Sequence, residues 1–163
     1  DFEVQYQMEP NLFENEFESF TLRLLGGKLL DKTSTSASGS VTDQMGAYTL
    51  PELTANITAR YSIGPVSLQM QGRHIDGGLL NRSWVEGVDV DDNSVASSSW
   101  WNGQIAYNSE TSNGATWSVN FSVQNLFNKL PPVTPGGSTG AQGVNNQYDI
   151  YGRRYNLGVN YSF

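Results

Sequence analysis

The sequence predicts an all-β protein: an antiparallel up-and-down meander of about seven strands forming part of a transmembrane β-barrel. Three observations carry this expectation. Apolar and polar residues alternate with a period of two nearly throughout, and helix-type spacing is almost absent. The connections between alternating runs are long and short by turns. Aromatic residues gather near the ends of the runs, where a membrane interface would lie.

The first run is FEVQYQM, with Phe2, Val4, Tyr6 and Met8 on one face. FTLRLLGGKLL sets Phe20, Leu22 and Leu24 against Thr21 and Arg23. LTANITARYSI is the clearest, with Leu53, Ala55, Ile57, Ala59, Tyr61 and Ile63 opposite Thr54, Asn56, Thr58, Arg60 and Ser62. After Gly64-Pro65, a short glycine-containing link that predicts a hairpin, VSLQMQGRH gives an apolar row of Val66, Leu68 and Met70. Ser67, Gln69, Gln71 and Arg73 form its polar row. WWNGQIAYN places Trp101, Ile105 and Tyr107 together, and WSVNFSVQ does the same for Trp117, Val119, Phe121 and Val123. YNLGVNYSF, which ends the sequence, alternates Tyr155, Leu157, Val159, Tyr161 and Phe163 with Asn156, Gly158, Asn160 and Ser162.

Long connections are expected near 31–49, 77–98 and 128–148, and short ones near 9–16, at Gly64-Pro65 and at NSETSNGA. That asymmetry is the pattern of outer-membrane barrels, whose periplasmic turns are short and extracellular loops long. A soluble β-sandwich binding module would also alternate. Against it stand run lengths near the roughly 9–11 residues of a tilted spanning strand, an aromatic girdle (Trp100, Trp101, Tyr107, Trp117, Tyr155, Tyr161 and Phe163), and strongly polar inner faces. A small autonomous outer-membrane barrel fits less well, because small barrels fill their interiors with packed side chains or a ligand.

Composition removes several classes. A net charge of -7 offers no basic stripe for nucleic acid. Only 15% of residues are charged, and there is no cysteine and a single histidine, so neither a disulfide framework nor a thiolate metal site is possible. No cofactor is expected. His74, the lone histidine, falls on an apolar row without partners for catalysis, and no enzyme activity is expected. The first residues contain no basic segment followed by an apolar one, and seven strands leave two open edges; both favour a piece of a larger barrel.

Residues near the C-terminal end carry a family resemblance. Asn125, Leu126, Phe127 and Asn128 with Pro131 and Pro132, then Tyr148, Asp149, Gly152, Arg153 and Tyr155, match an NLF-D/N-x-x-P segment followed by YD-x-x-GR-x-Y. In this the chain resembles the C-terminal barrel portion of TonB-dependent outer-membrane receptors. Asn156, Gly158, Tyr161 and Phe163 resemble the signal read by the barrel-assembly machinery, which would capture an unpaired edge by strand addition. The resemblance implies a plugged barrel of about 22 strands, of which residues 1–163 form the C-terminal wall. It implies energised uptake of a scarce nutrient (ferric siderophore, cobalamin or oligosaccharide) in the outer membrane of a Gram-negative bacterium. The implied partners are lipid, the rest of the barrel with its plug, and the TonB complex acting through that missing part. A small-molecule substrate completes the list.

Two further groups are candidates. Arg82 and Trp84, with Asp89, Asp91 and Asp92, share the second long loop and are candidate ligand contacts; the carboxylates lack EF-hand spacing and read first as a solvated acidic loop. Arg23, Arg60, Arg73 and Arg154 fall on polar rows and are expected to face a lumen, against a plug, an anionic substrate or neighbouring carboxylates. TSTSASGSVTDQMGAY is expected to be a mobile extracellular loop.

Overall fold

The computed structural model describes residues 1–13, 17–112, 114–132 and 147–163. Its regular elements are all strands: β1 (Phe2–Met8), β2 (Glu18–Lys28), β3 (Thr33–Thr35), β4 (Val41–Asp43), β5 (Leu53–Ile63), β6 (Val66–Ile75), β7 (Gly78–Leu79), β8 (Ser94–Val95), β9 (Ser98–Glu110), β10 (Thr116–Gln124) and β11 (Arg154–Ser162). The seven long strands form one antiparallel sheet in the order β1-β2-β5-β6-β9-β10-β11, each beside its neighbour along the chain. The meander expected from the sequence is therefore present, with boundaries shifted by up to two residues. The sheet is open: β1 and β11 are its edges, and both run from the long-connection end to the short-connection end.

The register explains why one period-two pattern persists through seven strands. Met8, Phe20, Tyr61, Leu68, Ile105, Phe121 and Leu157 lie side by side across the whole sheet. Tyr6, Leu22, Ala59, Met70, Gly103, Val123 and Tyr155 form the next row on the same face. The opposite face carries Gln7, Thr21, Arg60, Gln69, Gln104, Ser122 and Asn156 in a matching line. A one-residue slip anywhere would exchange the faces.

Among the described residues no second layer covers either face. Leu68, Met70, Ile105 and Phe121, near the middle of the apolar face, are 43%, 42%, 45% and 40% exposed. Buried apolar side chains are few, and Ile75, Trp100 and Tyr148 make the one cluster among them. That cluster lies at the long-connection end on the polar face, since Trp100 sits opposite Arg73. Trp100 thus leaves the aromatic girdle in which the sequence placed it. Two consecutive tryptophans in a strand must point to opposite sides, and Trp101 is the one on the apolar face.

The remaining girdle aromatics frame the apolar face. Tyr107 and Trp117 meet with ring centroids 5.2 Å apart at the short-connection end, and Tyr161 and Phe163 follow at 6.1 Å. Toward the other end, Trp101 covers Gly72 of the adjacent strand: a Cβ there would stand 2.8 Å from the Trp101 ring and 3.0 Å from Ile57 Cγ2. Gly72→Val is expected to displace the ring and lower the denaturant midpoint by about 1–3 kcal/mol of stability. Gly103→Val, where the space above the backbone is open, is the comparison and should leave the midpoint nearly unchanged.

The connections divide as expected. Those at 29–52, 76–97 and 125–153 leave one end of the sheet, and those at 9–17, Gly64–Pro65 and 111–115 leave the other. At the second end Glu18 is buried. Its carboxylate accepts from the Tyr61 hydroxyl at 2.7 Å and from the Phe13 backbone N–H at 2.6 Å, tying the first connection to the sheet. The first long connection carries a hairpin of its own. Its TST and VTD segments pair as the β3–β4 hairpin around Gly39, whose φ of 83° suits glycine. The second long connection contains the β7–β8 pair.

Candidate functional site

The polar face begins with side chains that can only alternate to it. Arg23, Arg60, Arg73 and Arg154 all stand there, as the sequence predicts. Three are engaged. Arg23 Nε pairs with Glu3 at 2.7 Å, Arg60 donates through Nε and Nη2 to Gln69 Oε1 at 3.2 and 2.7 Å, and Arg154 meets Asp149 at 3.4 Å. Arg73 has no ion pair or hydrogen bond among the described residues. The Arg154 guanidinium also lies 4.9 Å from the centre of the Tyr151 ring, an ordinary cation–π distance.

Arg73 and Arg154 border a recess of about 300 Å³ at the long-connection end of this face. Trp100, Asn102 and Gln124 supply its strand side, and residues 147–151 its loop side. Trp100 and Tyr148 pack with centroids 5.5 Å apart. Burial, with the Tyr48 hydroxyl nearby, pushes the Tyr148 hydroxyl above its ordinary range, so it remains a protonated donor at neutral pH. The sequence singled out Tyr148, Asp149, Arg73 and Arg154 for separate reasons. It missed that Trp100, Asn102 and Gln124 complete one recess with them, because four separate segments contribute.

The NLFN segment is the hinge that builds this corner. Asn125 is fully buried, with a left-handed φ of 51°. Its N–H donates to Asn102 Oδ1 at 2.9 Å, its amide nitrogen donates to the Lys129 carbonyl at 2.9 Å, and its amide oxygen accepts from the Lys129 N–H at 2.8 Å. Leu126 N–H donates to the Trp101 carbonyl, locking the turn onto β9. Asn128, also left-handed at 52°, accepts the Arg153 N–H at 3.0 Å through Oδ1. A Cβ on Gly152, whose φ is 71°, would come 3.0 Å from that same oxygen. Asn125, Asn128, Gly152 and Arg153 therefore form one staple between the end of β10 and the start of β11. Asp149 Oδ1 caps the Tyr151 N–H at 3.0 Å just before it. Phe127 is exposed and Leu126 and Pro131 are half-buried, and none of the three lines the recess. The rest of that long connection, including residues 133–146 of the expected 128–148 loop, lies outside the described residues.

The terminal strand separates its four singled-out residues. Asn156 and Gly158 are on the polar face, where the Asn120 amide covers Gly158, while Tyr161 is on the apolar face opposite Trp117. Phe163 follows the last paired residue. Tyr155 stacks on Phe121, centroids 6.2 Å apart.

The second long loop gives its candidates separate partners. Arg82 reaches Asp43 of the first loop at 3.0 Å, and Tyr48 N–H donates to the Leu79 carbonyl, so the two loops join as one platform. Buried Asn93 is its organiser, donating through Nδ2 to the Asn81 and Trp84 carbonyls at 2.8 and 3.2 Å. The acidic side chains are committed to backbone N–H groups. Glu86 accepts from Asn93, Asp89 from Val85 and Asp92 from Ser94, at 3.0, 2.8 and 2.8 Å. Hydrogen bonds from the Ser94 hydroxyl and N–H hold the Asp92 carboxyl below its ordinary range. Asp91 and Trp84 point to solvent. Among the described residues no three acidic or histidine side chains converge on a cation position. His74 Nδ1 lies 2.8 Å from Ser99 Oγ across two strands, a local pair at the border of the apolar face.

In comparisons with known proteins, the chain matches no family model, no curated protein and no solved structure.

Proposed function

We propose that this chain is part of the wall of an outer-membrane β-barrel of the TonB-dependent receptor kind, serving energised uptake of a scarce small molecule. The observation that carries the reading is the apolar face: two rows, each crossing all seven strands, with nothing from the described residues laid over them. In water such a face would be an aggregation surface far beyond the usual exposed patch. In hydrocarbon it is the expected solvent boundary, and the backbone groups within the sheet are already satisfied by their neighbours. A groove of about 450 Å³ along it, bordered by Leu68, Met70, Ile105 and Phe121 around Gly103, leaves room for an acyl chain.

Three further features support the reading. All long connections share one end of the sheet, aromatic rings frame the apolar face, and the opposite face is lined by amides, hydroxyls and guanidinium groups that suit a wet lumen. A β-sandwich would need its strands divided between two packed sheets, whereas here all seven belong to one. The receptor family itself rests on the NLFN and YDIYGR segments, whose residues form the staple described above.

The natural absence of cysteine makes the test direct. Single cysteines at Leu68 and Ile105, carrying an environment-sensitive fluorophore, should be quenched by nitroxide lipids. Those at Gln69 and Gln104 should be quenched by aqueous iodide instead. Equal aqueous quenching at all four positions would overturn the membrane reading.

A further inference from the structure

The recess beside Trp100 holds buried hydrogen-bond donors that nothing matches among the described residues. Two acceptors in its wall are taken: Asn102 Oδ1 by the Asn125 N–H at 2.9 Å, and Asp149 Oδ1 by the Tyr151 N–H at 3.0 Å and by Arg154 at 3.4 Å. Trp100 and Tyr148 are only 6% and 5% exposed, and among the described residues neither Trp100 Nε1 nor the Tyr148 hydroxyl has a hydrogen-bond partner. Buried donors are seldom left unmatched, because each forfeits its hydration without compensation. Arg73, directly opposite Trp100 in the register, adds a guanidinium with no carboxylate beside it among the described residues. With Arg154 and Asp149 both in the wall, the recess keeps one positive charge in excess.

We propose that this recess binds an acceptor-rich anionic group of the carboxylate class, held by Arg73 as the charge partner with the Trp100 and Tyr148 donors behind it. A carboxylate supplies two oxygens and about four acceptor positions, matching a guanidinium fork plus one or two further donors. A neutral polyol lacks the charge, and a cation would face Arg73. The proposal deepens the uptake reading by naming a substrate chemistry, and it rests on that reading for the ligand's route along the polar face.

The test is calorimetric titration of the intact protein in detergent micelles with tricarballylate, against its neutral triamide. Tricarballylate is expected to bind and the triamide not. Arg73→Gln should weaken binding by about tenfold or more, while Arg60→Gln, one row away from the recess, should leave it unchanged. The Trp100 indole N–H resonance should move as tricarballylate is added. Equal affinity of the Arg73→Gln variant, equal binding of the triamide, or no binding at millimolar tricarballylate would overturn the site. Tricarballylate binding with these dependences in a protein whose Leu68 and Ile105 labels remain aqueous would keep the site and remove the transport reading.

Discussion

Arginine in place of Met70 is expected to destabilise the protein in lipid vesicles by about 2–4 kcal/mol, the cost of placing a guanidinium near the bilayer midplane. Met70 stands in the row of Leu22, Ala59, Gly103 and Val123, with Leu68 and Gly72 on the same face of its strand. The position lies mid-strand, one row from Trp101 and on the row that ends at Tyr155. Gln71→Arg, one residue away, is exposed on the polar face between Thr58 and Asn102 and should change stability by less than about 0.5 kcal/mol. The contrast is the informative quantity, read as the difference in urea midpoint between the two variants. If the apolar face met water, Met70→Arg would be nearly neutral and would improve solubility. Equal midpoints for the two variants would therefore sink the lipid contact.

The second large effect is expected at Asn125. Asn125→Ala removes both side-chain hydrogen bonds to Lys129, leaving a backbone donor and acceptor at a buried corner, and also forces alanine into a left-handed φ. Together these should cost about 2–4 kcal/mol. Asn125→Gly loses the same hydrogen bonds without the backbone strain, so it should fall about 1 kcal/mol short of the alanine variant. An equal loss in both would mean that the φ at this position carries no penalty, and a loss in neither would mean that the corner is held by other contacts. Because the NLFN staple positions β11 and the loop side of the recess, Asn125→Ala should also loosen the pairing of β11 with β10, visible as faster amide exchange from Arg154 through Ser162.

The seven long strands and the faces of their residues were readable because alternation is enforced twice. Each residue must satisfy its own strand and a neighbour across the register, so the pattern repeats in six pairings. Loop structure had no such redundancy. The β3–β4 and β7–β8 pairs are only two or three residues long, too short to show an apolar period. The acidic residues of the second loop were visible as charges, but their work as caps for Val85, Asn93 and Ser94 depends on backbone direction, which composition does not encode. Trp100 was misplaced for a different reason: its position in the girdle was inferred from its residue type, although its adjacency to Trp101 already required one of the pair to face inward. The staple residues were legible as a motif and not as a mechanism, since Asn125 and Asn128 act through left-handed conformations that only coordinates reveal. Glu18 passed unnoticed because a carboxylate beginning a strand ordinarily faces water.

The two open edges place a rule of parity on whatever completes the sheet. Since β1 and β11 point the same way, two copies standing side by side with their long loops together would meet through parallel strands at both seams. Turning one copy over would restore antiparallel contacts, at the cost of sending its loops to the opposite end of the sheet. An intervening stretch with an odd number of strands avoids both conflicts and gives an even total. Such a complement would bring its own loops to the same side as the joined platform of Arg82 and Asp43. The asymmetry between the two ends would then belong to the whole ring.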